Sequence, residues 1–299
     1  MVRMSNITGK ILKSVGGFFH VESLDGVLLC TARGVFRHKD ITPVAGDNVV
    51  VDTGDICENT PVITDVLERK NHIIRPPLAN LDAAIIVVST VEPKPNRLIL
   101  DKLIAIFESK EIEPVLLFTK TDKKEEEELR RIYEKAGFTV FSVNNTENTG
   151  TEAVRDFVQN KTCALIGNTG VGKSSTLNNL FPGFKLETAE ISKKLGRGKH
   201  TTRQVELFGI DENSYIADTP GFSTVEAAKY GELISENVAL YFREFVQFLD
   251  KCRFAGCSHT KEEGCAVINA KESGKINAGR FENYVRIYKD AWAEERSYN

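Results

Sequence analysis

The sequence predicts a multi-domain α/β protein in three parts: an N-terminal all-β OB-fold barrel, a central circularly permuted phosphate-loop domain and a C-terminal helical zinc-binding domain. Three observations predict it. Short alternating runs broken by glycine turns fill residues 1–75. Apolar strands then alternate with amphipathic helices and carry the loop GNTGVGKSS at 167–175. Finally, Cys252, Cys257, His259 and Cys265 cluster in a chain that is otherwise sparse in cysteine. At 299 residues the chain is long enough for two or three domains, each burying its own core.

The elements follow in order. Residues 1–75 hold GKILKSV, GFFHVES, GVLLCTAR, NVVVDTG and PVITDVL, separated by Gly16-Gly17, Asp25-Gly26, Gly46-Asp47 and Gly54. Five such strands suit an OB-fold, although their period alone does not separate it from an SH3-like barrel. Arg75-Pro76-Pro77 marks a boundary, because the residue before a proline is pushed to extended backbone. Over 76–225, AAIIVVST, PVLLFTKTD, FTVFSV, TCALIG, RQVELFGI and SYIADTPG read as strands. Helices are expected over 97–110, 125–136 and 151–159, and from the phosphate loop to Leu180. Glu125 to Glu128 suit a first helical turn, where the helix dipole favours negative charge. This alternation implies a parallel sheet with helices on both faces and binding loops at the strands' carboxyl ends. Residues 226–299 are mostly helical in pattern, interrupted by the Cys/His cluster.

Composition narrows the class. Hydrophobic residues at 41% and charged residues at 27% fit a soluble globular protein. No run approaches the ~18 apolar residues of a membrane span, and MVRMSNITGK lacks a secretory apolar core. A cytoplasmic monomer with no membrane contact is expected. The net charge of −3 does not suggest a nucleic-acid binder. Its distribution does: Lys185, Lys193, Lys194, Arg197, Lys199 and Arg203 face only Glu187 and Glu190 within 185–203. Such a segment suggests a polyanion contact, against the plainer reading of a solvated loop. Cys30, Cys57 and Cys163 are scattered, whereas the later cluster in a reducing compartment reads as metal ligation.

The phosphate loop matches G-x-x-x-x-G-K-[ST] between an apolar strand and a helix. Gly167, Asn168, Thr169, Gly170, Val171 and Gly172 would turn backbone N–H groups toward phosphates. Lys173 would offer a cation to the β- and γ-phosphates and Ser174 a hydroxyl to Mg²⁺, with Ser175 entering the helix. A chance glycine turn is the bland alternative, and the flanking elements and partner motifs argue against it. ADTPG supplies the second half: Asp218 would hold Mg²⁺ through water, and the Gly221 amide would meet the γ-phosphate. TKTD, formed by Thr119, Lys120, Thr121 and Asp122, reads the base. Asp122 can accept from the guanine N1–H and 2-amino group, a donor pair adenine lacks, while Lys120 packs its stem along the ring. The usual motif begins with Asn, which also tethers the phosphate loop, so Thr119 predicts modest guanine affinity. SVNN at 142–145 is the expected base-capping loop. Ordinary GTPases place the base motif after the phosphate loop. Here it precedes, which requires a circular permutation, tolerated because the ordinary domain's termini lie close together.

Catalysis shows a gap. Phe222 stands where many GTPases carry a water-orienting Gln, so unassisted hydrolysis should be slow. GRGKHTTR at 196–203 reads as the first switch. Either Thr201 or Thr202 would complete the Mg²⁺ shell, and His200 would orient water or instead contact phosphate or RNA. At the other end, three thiolates and one imidazole form a closed tetrahedral Zn²⁺ site of the structural kind, with no position for a catalytic water.

The permuted motifs, OB-like barrel, GRGKHTT, ADTPGF and CxxxxCxHxxxxxC together resemble the ribosome small subunit-dependent GTPase A family, RsgA, over essentially the whole chain. The resemblance implies a GTPase that binds the 30S subunit and its 16S rRNA during late maturation. It further implies that the subunit stimulates hydrolysis and that GTP or GDP controls release. It fixes no RNA-contacting side chains on the barrel. Arg33, Arg37, His38 and Lys39 are candidates against a solvated turn. The alternative is a GTP-gated factor for another structured RNA such as tRNA.

Overall fold

The computed structural model describes residues 6–33, 36, 41–54, 60–123, 127–183, 205–219 and 233–297. The first strands are β1 (Asn6–Val15), β2 (Phe18–Ser23), β3 (Gly26–Ala32), β4 (Asn48–Asp52) and β5 (Val62–Val66). They pair in the order β1–β2–β3–β5–β4 and β4 returns to β1, with only β3 and β5 parallel. That closure is the OB-like choice between the two barrels the sequence left open. Alternation works as it should: Ile11, Phe19, Val21, Cys30, Val49, Val51 and Ile63 all point inward to one core.

A small hairpin, β6 (His72–Ile73) with β7 (Leu78–Ala79), buttresses the barrel. Gly46 makes the contact possible. Its φ is +90°, and a Cβ there would lie 2.1 Å from the Ala79 carbonyl oxygen, so only glycine fits. Nearby, Arg69 clamps the buried Asp47 carboxylate through Nε at 2.7 Å and Nη2 at 2.8 Å.

The central sheet runs β10 (Thr139–Ser142), β9 (Glu113–Thr119), β8 (Ala83–Ser89), β11 (Thr162–Ile166), β13 (Tyr215–Asp218) and β12 (Glu206–Gly209). All neighbours are parallel except β12 and β13. The all-parallel expectation fails there because the turn at 210–214 is too short for a crossover. Ile210 N–H donates to the Ser214 carbonyl at 2.7 Å and closes a hairpin instead. The edge strand β12 then pairs with β1 at Glu206 and Lys13, joining barrel and central sheet into one 11-stranded sheet. Lys13 Nζ meets Glu206 at 2.6 Å, and the Tyr215 hydroxyl donates to Glu22 at 2.6 Å across the same seam.

Successive residues of β8 serve opposite cores. Ala84, Ile86 and Val88 face α1 (Arg97–Glu108) and α2 (Glu127–Lys135). Ala83, Ile85 and Val87 face α3 (Thr151–Val158) and α4 (Lys173–Leu180). The phosphate-loop strand β11 is fourth of the six in the chain yet central in the sheet, as permutation demands.

Beyond it, α5 (Arg243–Val246), α6 (Ala266–Glu272) and α7 (Ala278–Ser297) form the expected helical region. Its core, with Phe242, Phe245, Phe281 and Tyr284, also takes Ala105 and Ile106 from α1. Helix α1 therefore belongs to two cores, since Leu100, Leu103, Ile104 and Phe107 face the sheet. Two arginines lock the arrangement. Arg243 bonds Glu108 at 2.6 Å and Glu113 at 2.7 Å. Arg280, fully buried, pairs with Asp101 and Glu244 and lies 5.0 Å over the Phe242 ring. The Tyr133 hydroxyl and the Asn283 amide complete the Asp101 carboxylate at 2.9 and 2.7 Å. Arg280→Met leaves two buried carboxylates, Asp101 and Glu244, without their shared cation, so it should lose about 3–5 kcal/mol. Urea unfolding measures that loss, and adding Asp101→Leu to Arg280→Met should recover part of it by removing one of the two stranded carboxylates.

Candidate nucleotide site and metal centre

The phosphate loop leaves β11 and enters α4 through two left-handed glycines, Gly170 (φ +83°) and Gly172 (φ +107°). Lys173 opens the helix, and its buried ammonium turns back across the loop to donate to the carbonyls of Gly167 at 2.6 Å and Asn168 at 3.1 Å. Ser174 and Ser175 sit half-buried in the first turn, and Thr169 is exposed at the tip. One strand over, Asp218 is level with Leu165 of β11. Its Oδ1 is buried with no hydrogen-bond partner among the described residues. Burial raises the Asp218 carboxyl, and Lys173 partly offsets this; burial likewise lowers the Lys173 ammonium against the pull of Asp218. An orphaned carboxylate oxygen beside a lysine, at a glycine loop that opens a helix, fits a cation-bearing phosphate chain.

The base motif leaves β9 directly beside this loop. The Thr119 hydroxyl donates to the Val171 carbonyl at 2.5 Å. Lys120, itself left-handed at φ +60°, donates from Nζ to the carbonyls of Gly170 at 2.7 Å and Glu92 at 2.6 Å. Burial lowers the Lys120 ammonium, with Lys123 adding to the effect. The Thr121 hydroxyl donates to the Val143 carbonyl at 3.2 Å, and Asp122 is exposed at the loop's end. The tether expected to be lost with Asn is thus made by threonine. Thr90 was not singled out from sequence, yet its hydroxyl donates to the Lys120 carbonyl at 2.8 Å. Neither that bond nor the Glu92 carbonyl leaves a sequence signal, because both use main-chain oxygens.

His200, Thr201, Thr202, Gly221 and Phe222 lie outside the described residues, as do Arg37, His38 and Lys39. Arg33 is exposed and sits 3.6 Å from Asp52.

The Cys/His cluster has its four donor atoms within 4.8 Å of one another. Cys252 Sγ lies 3.4 Å from His259 Nδ1 and 3.8 Å from Cys265 Sγ, and His259 Nδ1 lies 3.4 Å from Cys265 Sγ. A tetrahedral ion with metal–sulfur bonds of about 2.3 Å and metal–nitrogen bonds of about 2.0 Å needs edges of roughly 3.5–3.8 Å. The donor set fits. Burial pushes the Cys257 thiol up to about 12, so a cation bound there would be what holds that residue as thiolate at neutral pH. Glu262 braces the loop from outside, accepting from the Ser258, Thr260 and Lys261 amides at 2.9, 2.9 and 3.0 Å. The Tyr284 hydroxyl of α7 donates to the Ser258 carbonyl at 2.6 Å and ties the loop to the helical core.

A phosphate loop stitched to a base motif that precedes it in the chain, on a sheet of this strand order, defines a circularly permuted phosphate-loop GTPase. A family model described as RsgA GTPase matches residues 66–228, and one described as RsgA N-terminal domain matches 8–58. The small ribosomal subunit biogenesis GTPase RsgA 2 of Oceanobacillus iheyensis is 42% identical over 296 residues, which is 97% of this chain and 99% of its own length. The RsgA of Caldanaerobacter subterraneus subsp. tengcongensis is 37% identical over 98% of each chain. The crystal structure of YjeQ from Thermotoga maritima is 30% identical with a TM-score of 0.78, covering 96% of this chain and 99% of its own. YloQ, described as a circularly permuted GTPase, is 29% identical with a TM-score of 0.76, covering 97% and 96%. The chain belongs to the RsgA GTPase family.

Cys257→Ser should abolish stoichiometric metal in the purified protein, measured by elemental analysis. Chelation of the parent protein should expose amides of α6 and α7 to hydrogen exchange while those of β8 and β9 stay protected, because the two regions have separate cores.

Proposed function

We propose that this protein is a GTP hydrolase that binds the small ribosomal subunit during its late maturation, and that the subunit stimulates turnover to GDP and phosphate. The observation that carries the reading is the stitching of the base loop to the phosphate loop through Thr119 and Lys120. The relatives, named as small ribosomal subunit biogenesis GTPases, supply the partner. The 30S particle and its 16S rRNA are thus the partner, and the protein acts as a cytoplasmic monomer. No helix among the described residues is long and apolar enough to cross a membrane.

In this reading residues 1–75 form the RNA-binding barrel, 76–225 the nucleotide domain and 226–299 the zinc domain. Asp122 reads guanine, and Thr119, Lys120 and Thr121 hold its loop. Gly167, Asn168, Thr169, Gly170, Val171 and Gly172 enclose the phosphates, with Ser175 at the helix entry. On binding, the Lys173 ammonium exchanges two carbonyl partners for phosphate oxygens, a trade that costs little rearrangement because the side chain already crosses the loop. Ser174 and Asp218 would hold Mg²⁺, which neutralises charge on the transferred phosphoryl group. The Gly221 amide would steady the γ-phosphate, Thr201 or Thr202 would join the Mg²⁺ shell, and His200 would orient the attacking water. Zn²⁺ held by Cys252, Cys257, His259 and Cys265 is structural, because all four positions are filled by protein.

GTP turnover should rise by an order of magnitude or more with purified 30S subunits, as partner-ordered sites do. Co-sedimentation should be stronger with a non-hydrolysable GTP analogue than with GDP. Stimulation by tRNA in place of 30S would redirect the assignment to another RNA.

A further inference from the structure

The first residue of the base motif has one short side-chain hydrogen bond, with the Val88 carbonyl a further 3.5 Å from the same hydroxyl. The Thr119 hydroxyl carries a single proton, given to the Val171 carbonyl at 2.5 Å. A carboxamide at that place would have two donor hydrogens and an acceptor. A carboxamide stands next door, on the loop after β10. Asn145 Nδ2 lies 2.9 Å from the Thr176 hydroxyl and 3.5 Å from the Gly172 carbonyl, and Asn145 Oδ1 is 3.2 Å from the same hydroxyl. Asn179 of α4 fixes the backbone there, donating from Nδ2 to the Asn145 carbonyl at 2.9 Å. Thr119 and Asn145 flank one peptide: a Cβ on Gly172 would lie 3.1 Å from Asn145 Nδ2 and 3.7 Å from Thr119 Oγ1.

We infer that Asn145 supplies from the neighbouring loop the carboxamide missing at Thr119, and that it is a positioning residue for guanine binding. The inference rests on the nucleotide-site reading given above. The loop that begins at Val143 is held to the base motif by the Thr121 hydroxyl and, through Asn145, to the first turn of α4. Gly172 opens that turn, its carbonyl accepting from Thr176 N at 2.8 Å. Asn145 thereby closes a three-sided frame of base motif, capping loop and phosphate loop. Loss of its amide frees the capping side while leaving the Thr119 tether intact.

The test is equilibrium binding of a fluorescent GDP to the full-length protein. Asn145→Ala should weaken binding about tenfold, equivalent to ~1.4 kcal/mol. Asn145→Asp, which preserves shape, should weaken it at least as much because a carboxylate then faces the Gly172 carbonyl. Adding Thr119→Asn to Asn145→Ala should recover most of the loss, which a purely structural role for Asn145 would not allow. Binding within twofold of the parent for both Asn145 variants overturns the inference, and so does a loss that Thr119→Asn leaves untouched. Asp122→Asn serves as the separate control. If it fails to weaken GDP binding, the base-site reading itself falls; if it weakens binding and the Asn145 variants do not, only the role of Asn145 falls.

Discussion

One hydrogen bond, from the Thr119 hydroxyl to the Val171 carbonyl, is the contact on which the rest of the molecule depends. A guanine nucleotide spans its base and phosphate sites rigidly, so the two loops must be held at a fixed separation. They leave different strands, and the chain reaches them in the order opposite to the ordinary one. No local sequence contact can set their spacing. The sheet brings β9 and β11 close with β8 between them, and the tether then fixes the loops themselves. Lys120 reinforces it by gripping Gly170 and the Glu92 carbonyl together.

Around that centre, the parts are joined by sharing rather than by simple abutment. Helix α1 contributes to the sheet core through one side and to the helical core through another. Asp101 on that helix neutralises Arg280, and the Arg280 guanidinium stacks on rings from both regions, Tyr133 and Phe242. Such a pair adds little net stability over a hydrophobic replacement, but it is costly to half-remove. The barrel is joined by backbone pairing of β1 to β12, with Lys13–Glu206 and Tyr215–Glu22 bridging the same seam.

Much of this was legible in the sequence, for identifiable reasons. The barrel strands carried their alternation openly, and the buried strands β8, β9 and β11 are continuous apolar runs bounded by turns. The Cys/His spacing announced four donors that the structure brings within 4.8 Å. Legibility failed where a side chain answers to a main-chain oxygen. The substitution of threonine at position 119 read as a lost tether, because sequence shows the missing amide and not the carbonyl waiting at Val171. The strand β12 was expected, but its antiparallel direction was not. Its apolar pattern fits either direction, and the short turn at 210–214 decides it. Asn145 stood in plain view as part of SVNN, but its distance from Gly172 depends on how the loop folds against α4.

The strand order carries a consequence for how this chain comes off the ribosome that makes it. Strands β8, β9 and β10 emerge and can zip together while β11, the partner on the other side of β8, is still unsynthesised. During that interval a long, apolar, hydrogen-bond-hungry margin is bare to solvent, the kind of surface that invites mispairing between nascent polypeptides. The permuted connectivity leaves that margin on β8 open for the few seconds in which the next ~20 residues are made, and a clean fold then waits on the timely arrival of Thr162–Ile166.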